Sequence, residues 1–370
     1  GIPNPEGKPQ AELWMGSHPL APSQVTVSGK TIGLDRLIAG DPEGILGSRV
    51  ARSFAGELPF LFKVLAAGLP LSIQAHPNKA QARAGFEREN KEGIPLTSPK
   101  RNYKDPNHKP EIICALSEFD ALCSFRTPEE IAEFFSDFEG DEARRVRDEL
   151  SGGGSDTERV KNFYSHLLMM DEESVNRLIS AALDSRNDSA ERRMASYLAS
   201  CYPGDRGALA PFFLNLIRLQ PGDAVALEAG ELHAYISGIG VECMANSDNV
   251  LRGGLTSKHI DLDELSACLT YEGKDVHTVP LLASGNEVMY ATKFEEFTLS
   301  RISLESDSMG LPSESAQILL CVRGMFVAEN GEGSLAFSRG DSVFVAAGSK
   351  PLRIRGSGTL YRAHVPVKLS

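Results

Sequence analysis

The feature that most constrains the fold is an internal repeat in the second half of the chain. Residues 222–233 read Gly-Asp-Ala-Val-Ala-Leu-Glu-Ala-Gly-Glu-Leu-His, and residues 340–351 read Gly-Asp-Ser-Val-Phe-Val-Ala-Ala-Gly-Ser-Lys-Pro. Each copy combines a Gly-Asp turn, a short apolar-rich strand and a second turn that contains glycine. Two matching units 118 residues apart indicate that the same local architecture is built twice.

Both copies resemble the second conserved motif of the cupin superfamily, Gly-x5-Pro-x-Gly-x2-His, although Glu228 and Ala346 replace its proline. Cupins are small β-barrels of the jelly-roll type. The first copy keeps the histidine of the motif as His233, whereas the second has Pro351, which cannot bind a metal ion. We therefore expect one barrel with a metal site and one barrel without metal.

A helical segment interrupts the strand patterns. Residues 127–130, Thr-Pro-Glu-Glu, have the spacing of a capping box with proline at the first helical position. Helical periodicity then continues to about residue 200. The sequence predicts a mainly β protein with two cupin-like (jelly-roll) β-barrels plus an α-helical domain. Its predicted parts are a discontinuous catalytic barrel (1–126 and 206–284), a helical insertion (127–205) and a C-terminal cupin-like barrel without metal (285–370).

Local patterns predict the individual elements. Asn78 is placed to cap a helix that ends before the Gly93 turn. We expect short strand pieces over 1–57, paired strands over 58–76, a helix over about 79–92, a strand over about 111–125, strands over 212–239 and a short helix over 263–269.

Composition excludes some partners. The chain has 370 residues and a net charge of −12, which argues against nucleic acid or an anionic membrane as the main partner. The six cysteines show no paired spacing and predict free thiols in a reducing compartment. No signal peptide is evident, and the longest apolar run, 58–75, contains Lys63 and two prolines. We expect a cytoplasmic monomer that acts on a small molecule.

Polar side chains gather on one face of a strand in the segment 71–79, Leu-Ser-Ile-Gln-Ala-His-Pro-Asn-Lys. Ser72, Gln74 and His76 point the same way because strand side chains alternate. With Glu111 and His233, the segment offers two imidazoles, a carboxylate and an amide oxygen. Such a set suits Zn²⁺, with Fe²⁺, Mn²⁺ or Co²⁺ as alternatives. Taken singly, each residue is better explained by an ordinary structural role.

Four longer segments, in the same order, resemble those of the type I phosphomannose isomerases. They are residues 11–16 (Ala-Glu-Leu-Trp-Met-Gly), 71–79, 102–111 (Asn-Tyr-Lys-Asp-Pro-Asn-His-Lys-Pro-Glu) and 244–252 (Met-Ala-Asn-Ser-Asp-Asn-Val-Leu-Arg). The resemblance implies an enzyme that interconverts mannose 6-phosphate and fructose 6-phosphate with one zinc ion per chain. It places the zinc ligands at Gln74, His76, Glu111 and His233. Family members carry a further N-terminal strand, which we expect this chain to lack.

The implied reaction moves a proton between C2 and C1 of the sugar through an enediol. It needs a base and a cationic group for the developing oxyanion. Arg252, in a segment with two glycines, is the expected cation, and the resemblance also assigns an active-site arginine there. The base stays open among His108, Lys109, Glu242, Asp248 and a zinc-bound hydroxide.

The phosphate group of such a substrate needs hydrogen-bond donors and positive charge. A locally basic set in an acidic chain is suited to steer an anionic sugar phosphate. At least one cation of the loop 100–104 is expected to be merely solvated. The expected phosphate contacts are Ser72, Lys63, Lys100, Arg101 and Lys258.

Two alternative functions remain open. One is an isomerase for another aldose phosphate, which substrate competition would distinguish. The other is a sugar-phosphate-binding bicupin without catalysis, such as a regulatory sensor. Retention of Arg252 together with all four ligand-type residues argues against a sensor, which needs no catalytic cation.

Overall fold

The computed structural model describes residues 7, 10–184, 188–331 and 333–366. Within these ranges the protein is mainly β, with helices between the strands. The strands are β1 (Glu12–Met15), β2 (Gln24–Val27), β3 (Lys30–Gly33), β4 (Phe60–Ala67), β5 (Ile73–Ala75), β6 (Glu111–Ala115), β7 (Phe119–Phe125), β8 (Leu214–Leu219), β9 (Ala224–Leu227), β10 (His233–Ala245), β11 (Leu251–Gly254), β12 (Leu281–Ser284), β13 (Glu287–Tyr290), β14 (Thr298–Leu311), β15 (Gln317–Glu329), β16 (Ser334–Ser338), β17 (Ser342–Val345) and β18 (Leu352–His364).

The helices are concentrated in two regions, near the amino terminus and between β7 and β8. They are α1 (Leu34–Gly40), α2 (Pro42–Leu46), α3 (Ser48–Ser53), α4 (Lys79–Lys91), α5 (Pro128–Ser136), α6 (Asp141–Leu150), α7 (Asp156–Met169), α8 (Glu172–Asp184), α9 (Ala190–Cys201), a 3-10 helix (Arg206–Phe212) and α10 (Leu262–Cys268). None of the helices in the described ranges combines the length and the apolar character that crossing a membrane requires.

A nine-stranded antiparallel sheet is organised around the long strand β10. This strand pairs with β4 and β6 over its carboxyl-terminal half and with β5 and β7 near its start. His233, at the start of β10, lies opposite Gln74 of β5 and opposite Cys123 of β7. One strand thus brings residues from four separate parts of the chain to the same place.

A seven-stranded antiparallel sheet contains the strands from β12 onward. Its three long strands lie in the order β14-β18-β15, with β13 and β12 on one side and β16 and β17 paired to β15. Two large sheets agree with the predicted mainly β fold. Closure of each sheet into a jelly-roll barrel stays a prediction.

The internal repeat forms the same turn twice. Gly222 and Gly340 have φ angles of 98° and 91°, in the region that glycine adopts without steric cost. The carboxylate of Asp223 accepts the backbone N–H of Gln220 at 3.0 Å, and that of Asp341 accepts the N–H of Ser338 at 2.8 Å. The following strands, β9 and β17, pair with β6 and β15. The repeat in the sequence therefore corresponds to a turn and a strand that occur twice in the structure.

The pairing of these strands identifies equivalent positions in the two sheets. Glu111 of β6 lies opposite Leu227 of β9, and Gln317 of β15 lies opposite Val345 of β17. Gln317 thus stands where the first sheet has Glu111. Its Oε1 accepts a hydrogen bond from Nε of Arg362 at 2.6 Å. In the second sheet, the amide of Gln317 and the guanidinium of Arg362 thus occupy the position that the carboxylate of Glu111 has in the first sheet.

An apolar core joins the two sheets. Cys114 of β6 is buried there, with its Sγ 2.9 Å from the Tyr290 hydroxyl and 3.4 Å from the Tyr361 hydroxyl. All six cysteines are free, as the sequence predicted. The first sheet contributes Phe60, Phe62, Ile112, Val241 and Cys243, and the second contributes Leu299, Ile318, Leu320 and Ala363.

The helices α5 to α9 pack against the other side of the first sheet. Thr127 caps α5 through a complete capping box with Glu130, as predicted. The helical core includes residues of β5, β7, β10 and β11, so the insertion is continuous with the strands that carry the polar face. Tyr164 of α7 packs on Gly253, where a Cβ would come 2.7 Å from the tyrosine hydroxyl. A larger residue beside Arg252 would have to displace the Tyr164 hydroxyl.

Most predicted elements are confirmed, with four corrections. The strands predicted as a pair over 58–76 are β4 and β5, and β10 lies between them, so that each pairs with β10. The predicted strand over 111–125 is two strands, β6 and β7, joined by a turn without glycine or proline that bonds to the carbonyl of Ile239. Residue 212 ends a 3-10 helix rather than starting a strand. The region before residue 58 contains three short helices, α1 to α3. They were not predicted because this region is rich in turn-forming residues. The second sheet begins at Leu281, and the division into domains stays a prediction.

Candidate metal centre

Three buried side chains converge where β5, β6 and β10 meet. One ligand atom from each of His76, Glu111 and His233 lies within 4.8 Å of the others, and all three side chains are almost inaccessible to solvent. His76 follows β5, Glu111 begins β6 and His233 begins β10. The sheet thus assembles the predicted imidazole and carboxylate ligands from distant positions.

Hydrogen bonds fix the proton positions on both imidazole rings. Nδ1 of His76 lies 2.7 Å from the carbonyl oxygen of Asn249, and Nδ1 of His233 lies 2.8 Å from that of Glu231. A carbonyl oxygen only accepts, so each Nδ1 must carry the proton. The Nε2 atoms therefore present lone pairs to the centre, as histidine ligands of a metal do.

These lone pairs face another acceptor, the carboxylate of Glu111. Nε2 of His76 lies 3.3 Å from Oε2 of Glu111, and Nε2 of His233 lies 3.1 Å from Oε1. Nε2 of His233 makes no hydrogen bond within the described residues because the carboxylate that it faces is also an acceptor, and Oε2 of Glu111 makes none although the ammonium of Lys109 lies 3.2 Å from it. Buried acceptors without donors are costly. A cation bound between them would satisfy all of them, so the residues fit a metal ion.

The ionisation states also suit a metal. Burial, reinforced by the charge of Lys109, lowers the pKa of His76 to about 4. For Glu111, burial opposes ionisation, but the charge of Lys109 outweighs it and holds the pKa of this carboxylate well below its usual value. Neutral imidazole and ionised carboxylate are the forms that bind metal ions.

Gln74 lies beside this centre. It is partly buried in the middle of β5, opposite His233 on one side and opposite Arg252 of β11 on the other. The register therefore places it next to one ligand-type histidine and to the expected catalytic cation. Gln74 as a fourth ligand stays a prediction.

Lys109 and His108 point to different places. Nζ of Lys109 lies 3.2 Å from Oε2 of Glu111 and 3.4 Å from Nε2 of His76. Nε2 of His108 instead lies 2.7 Å from Oε1 of Glu296, in the segment that leads into β14. Lys109 therefore lies at the metal centre. His108 instead connects the segment before β6 to the segment before β14.

Arg252 is a partly buried cation with a free donor. Its Nε is inaccessible to solvent and makes no hydrogen bond within the described residues. Burial lowers the pKa of its guanidinium. An arginine whose Nε has no acceptor in the described part of the chain, and which β5 separates from His233, is suited to hold an anionic ligand or a developing negative charge.

Lys63 and Glu242 form a buried ion pair across β4 and β10. Nζ of Lys63 lies 3.0 Å from Oε2 of Glu242 and 3.5 Å from Oε1 of Glu12. Burial raises the pKa of Glu242 against the lowering effect of Lys63. Burial lowers the pKa of Lys63, but Glu242 and Glu12 outweigh it and raise that pKa overall. The ammonium of Lys63 is thus shared between two carboxylates.

Asp248 lies in the loop between β10 and β11. Its Oδ2 lies 3.2 Å from Nε2 of His18, and the hydrogen bond from His18 lowers the pKa of this aspartate. Ser72 is partly buried just before β5. Lys100 and Lys258 are exposed.

The guanidinium of Arg101, predicted to contact phosphate, is bonded to protein partners. Its side chain is buried, and its guanidinium lies 2.9 Å from the carboxylate of Glu89 in α4. It also donates to the carbonyl oxygens of Tyr103 and Ile94 and to Oδ1 of Asn90. These bonds commit the guanidinium to holding the loop 94–103 against α4. We therefore leave Arg101 out of the phosphate site.

Two residues at the centre were not predicted from the sequence. The hydroxyl of Tyr235 donates to Oε1 of Glu111 at 2.9 Å, and Asn249 supplies the carbonyl that fixes His76. Tyr235 is two residues after His233, so strand alternation would have placed both on one face. The contact of Asn249 has no comparable local signal.

Comparisons with known proteins point to a single family. Residues 1–128 match the family model "Phosphomannose isomerase type I, catalytic domain", and residues 286–365 match "Mannose-6-phosphate isomerase, cupin domain". Mannose-6-phosphate isomerase of Escherichia coli (strain K12) is 40% identical over 371 residues, covering 98% of this chain and 93% of the relative. This chain belongs to the type I phosphomannose isomerases. Family membership confirms the expectation that it is an isomerase.

The similarity extends to mammals and to solved structures. The human mannose-6-phosphate isomerase is 37% identical, over 92% of this chain and 85% of the relative. A structure described as mannose 6-phosphate isomerase (holo; zinc bound) matches with a TM-score of 0.92 and 38% identity, over 99% of this chain and 93% of the other. A variant of phosphomannose isomerase from Salmonella typhimurium gives a TM-score of 0.93 at 38% identity, with the same coverage.

Proposed function

We propose that this protein is a zinc-dependent isomerase that interconverts mannose 6-phosphate and fructose 6-phosphate through an enediol. The observation that carries the proposal is the convergence of two imidazole lone pairs on the ionised carboxylate of Glu111. Family membership supports the substrate pair, and the zinc-bound relative supports the metal. No feature of the described residues favours another aldose phosphate or a non-catalytic sensor.

Four residues would hold the zinc ion: Gln74, His76, Glu111 and His233. When bound, the ion would polarise sugar oxygens and order the open-chain substrate. The protein prepares the site by fixing both histidine tautomers through backbone carbonyls. The Tyr235 hydroxyl orients the carboxylate by donating to its Oε1.

Lys109 is our first choice for the group that moves the proton between C2 and C1. Its Nζ borders the ligand set, within 3.4 Å of both Glu111 and His76. The other candidate side chains have partners elsewhere: Glu242 is paired with Lys63, Asp248 with His18, and His108 with Glu296. A zinc-bound hydroxide remains the alternative to Lys109.

Arg252 would stabilise the charge of the enediolate. Its free Nε and its position opposite Gln74 support this role. Ser72, Lys63, Lys100 and Lys258 remain the proposed phosphate contacts. Lys63 would contribute through its field, because its ammonium already lies beside Glu242 and Glu12.

The finer architecture is also a proposal. Each large sheet would form a cupin-like barrel, with the metal only in the first, and 127–205 would be the helical insertion. The shared turn geometry of β9 and β17 supports two related barrels. We further propose a cytoplasmic monomer.

The test measures metal and turnover on the same preparation. The protein is purified without chelator, zinc per chain is determined, and fructose 6-phosphate formation is followed before and after chelation. We expect about one zinc ion per chain and activity that is lost on chelation and restored by Zn²⁺. Other aldose phosphates are added as competitors to check the substrate.

The matched variants are His233→Ala and His364→Ala, because His364 lies in the second sheet. The first should lose zinc and activity, whereas the second should keep both. Stoichiometric zinc without turnover on any aldose phosphate would favour a binding protein. Neither zinc nor turnover would overturn the ligand set.

A further inference from the structure

A buried asparagine joins the segments that carry the metal centre. Asn249 lies in the loop between β10 and β11 and is completely inaccessible to solvent. Around its side chain are the loop residues Asp105, Asn107 and Ser247, which we call, together with Asn249, the loop clasp. The clasp connects the segment that leads into β6 with the loop that leads into β11.

The amide of Asn249 uses its full hydrogen-bonding capacity. Its Oδ1 accepts the backbone N–H groups of Lys104 at 2.7 Å and Asp105 at 3.3 Å. Its Nδ2 donates to the backbone oxygens of Asp105 and Asn107, each at 2.8 Å. Two donors and two acceptors are what a carboxamide offers. An aspartate of the same shape would lack both donors.

The other clasp residues complete the connection. The carboxylate of Asp105 accepts the Ser247 hydroxyl at 2.8 Å and the backbone N–H of Asp248 at 2.8 Å. The Ser247 hydroxyl in turn accepts the backbone N–H of Asn249 at 3.2 Å. Both loops are therefore held together by side-chain to backbone bonds in a largely buried setting.

Three functional groups depend on the position of this clasp. The backbone oxygen of Asn249 accepts a hydrogen bond from Nδ1 of His76 at 2.7 Å and so fixes the orientation and the tautomer of the ring. Asp105 is six residues before Glu111 in the same segment, and Arg252 is three residues after Asn249. A shift of the clasp would move the histidine, the carboxylate and the arginine relative to one another.

We propose that Asn249 is a positioning residue of the metal centre, acting through its side-chain bonds to set the carbonyl that holds His76. The inference rests on the proposed function, since it assumes that His76 and Glu111 bind metal. Partners of metal-bound histidines contribute about 10- to 100-fold to metal affinity or activity. A backbone carbonyl can orient a histidine in this way only if its own position is fixed. The side-chain hydrogen bonds of Asn249 fix it.

The experiment compares Asn249→Asp and Asn249→Ala with Gln317→Ala. Gln317 is a good control because it is also a fully buried amide with two hydrogen bonds, but it lies in the second sheet. Zinc dissociation constants are measured by competition with a chromophoric chelator. The visible spectrum of the Co²⁺-substituted protein reports the ligand geometry, and thermal unfolding reports stability.

Both Asn249 variants should bind zinc about 10- to 100-fold more weakly and show altered cobalt bands. Gln317→Ala should lose stability while its zinc affinity and cobalt spectrum stay those of the unaltered protein. Ser247→Ala removes fewer bonds and should show the same effects more weakly, which keeps the inference testable if the Asn249 variants do not fold.

Two outcomes separate the inference from the proposed function. The Asn249 and Ser247 variants could keep the zinc affinity and cobalt bands of the unaltered protein and only lose stability, as Gln317→Ala does. That result would show a purely structural role and overturn the inference. An unaltered protein that binds neither zinc nor cobalt would overturn the proposed function and, with it, the inference.

Discussion

Nε2 of His233 lies 3.1 Å from Oε1 of Glu111, and both atoms are acceptors. The His233 proton is on Nδ1, which donates to the carbonyl of Glu231. The backbone thus holds a lone pair against a carboxylate in a buried setting. Such an arrangement is unfavourable by itself and becomes favourable when a cation lies between the two groups.

Replacing the carboxylate should therefore act on metal binding first. Glu111→Gln removes the charge that the two neutral imidazoles cannot supply, so zinc affinity should fall by more than about 100-fold, beyond the effect of an indirect partner. Chelator competition measures it. Glu287→Gln changes a carboxylate of the second sheet and should leave zinc affinity unaltered. Equal zinc affinity in Glu111→Gln and the unaltered protein would exclude Glu111 as a ligand.

Arg252 should matter for turnover and not for the metal. Removing a donor that stabilises a developing oxyanion costs about 100- to 1,000-fold in kcat. We expect that loss in Arg252→Ala, with normal zinc content. Arg252→Lys should restore little, because a compact ammonium cannot reproduce the planar guanidinium. Arg218→Ala, which removes an exposed partner of Asp120, is the control. Near-normal kcat in Arg252→Ala would refute the role.

Lys109 and His108 can be distinguished by comparing neighbouring variants. Lys109→Met should lower kcat by about 100- to 10,000-fold, the contribution of a general base, with zinc retained. His108→Gln should have the smaller effect on kcat but should lower the melting temperature, because Glu296 loses its partner. Steady-state kinetics and thermal unfolding measure both. The reverse order of kcat losses would make His108 the better candidate.

The stability of the protein should fall in acid partly through His364. Burial, with a contribution from Arg362, lowers the pKa of His364 to about 3, from 6.5 in the unfolded chain. Between these values the unfolded state binds a proton that the folded state does not, so stability decreases as pH falls. From about pH 7.5 to about pH 5 this amounts to at most about 2 kcal/mol, at about 1.4 kcal/mol per pKa unit.

The variant His364→Gln, which cannot titrate, should lose less free energy of unfolding over that interval. Urea unfolding at both pH values measures the difference. His259→Gln changes an exposed histidine and should behave like the unaltered protein. An unchanged pH dependence in His364→Gln would mean that this histidine is not held neutral in the folded state.

The sequence by itself determined the features that are encoded locally. Asn78 caps α4 and Thr127 forms a capping box with Glu130, as expected, because a cap depends on residues only three positions apart. The Gly-Asp repeat specifies its turn through a positive φ and an aspartate bond to a residue three positions earlier. Strand alternation and the repeat were enough to select the two histidines and to predict a mainly β chain.

Only the tertiary structure decided which polar groups meet. His76 and Asn249 are 173 residues apart, and Tyr235 and Glu111 are 124 apart, so no periodicity relates them. Arg101 looked like a phosphate ligand because a basic loop has the same composition whether its cations face solvent or a buried glutamate. Partners, tautomers and ionisation depend on burial and on distant contacts, which exist only after β10 has gathered four strands around it.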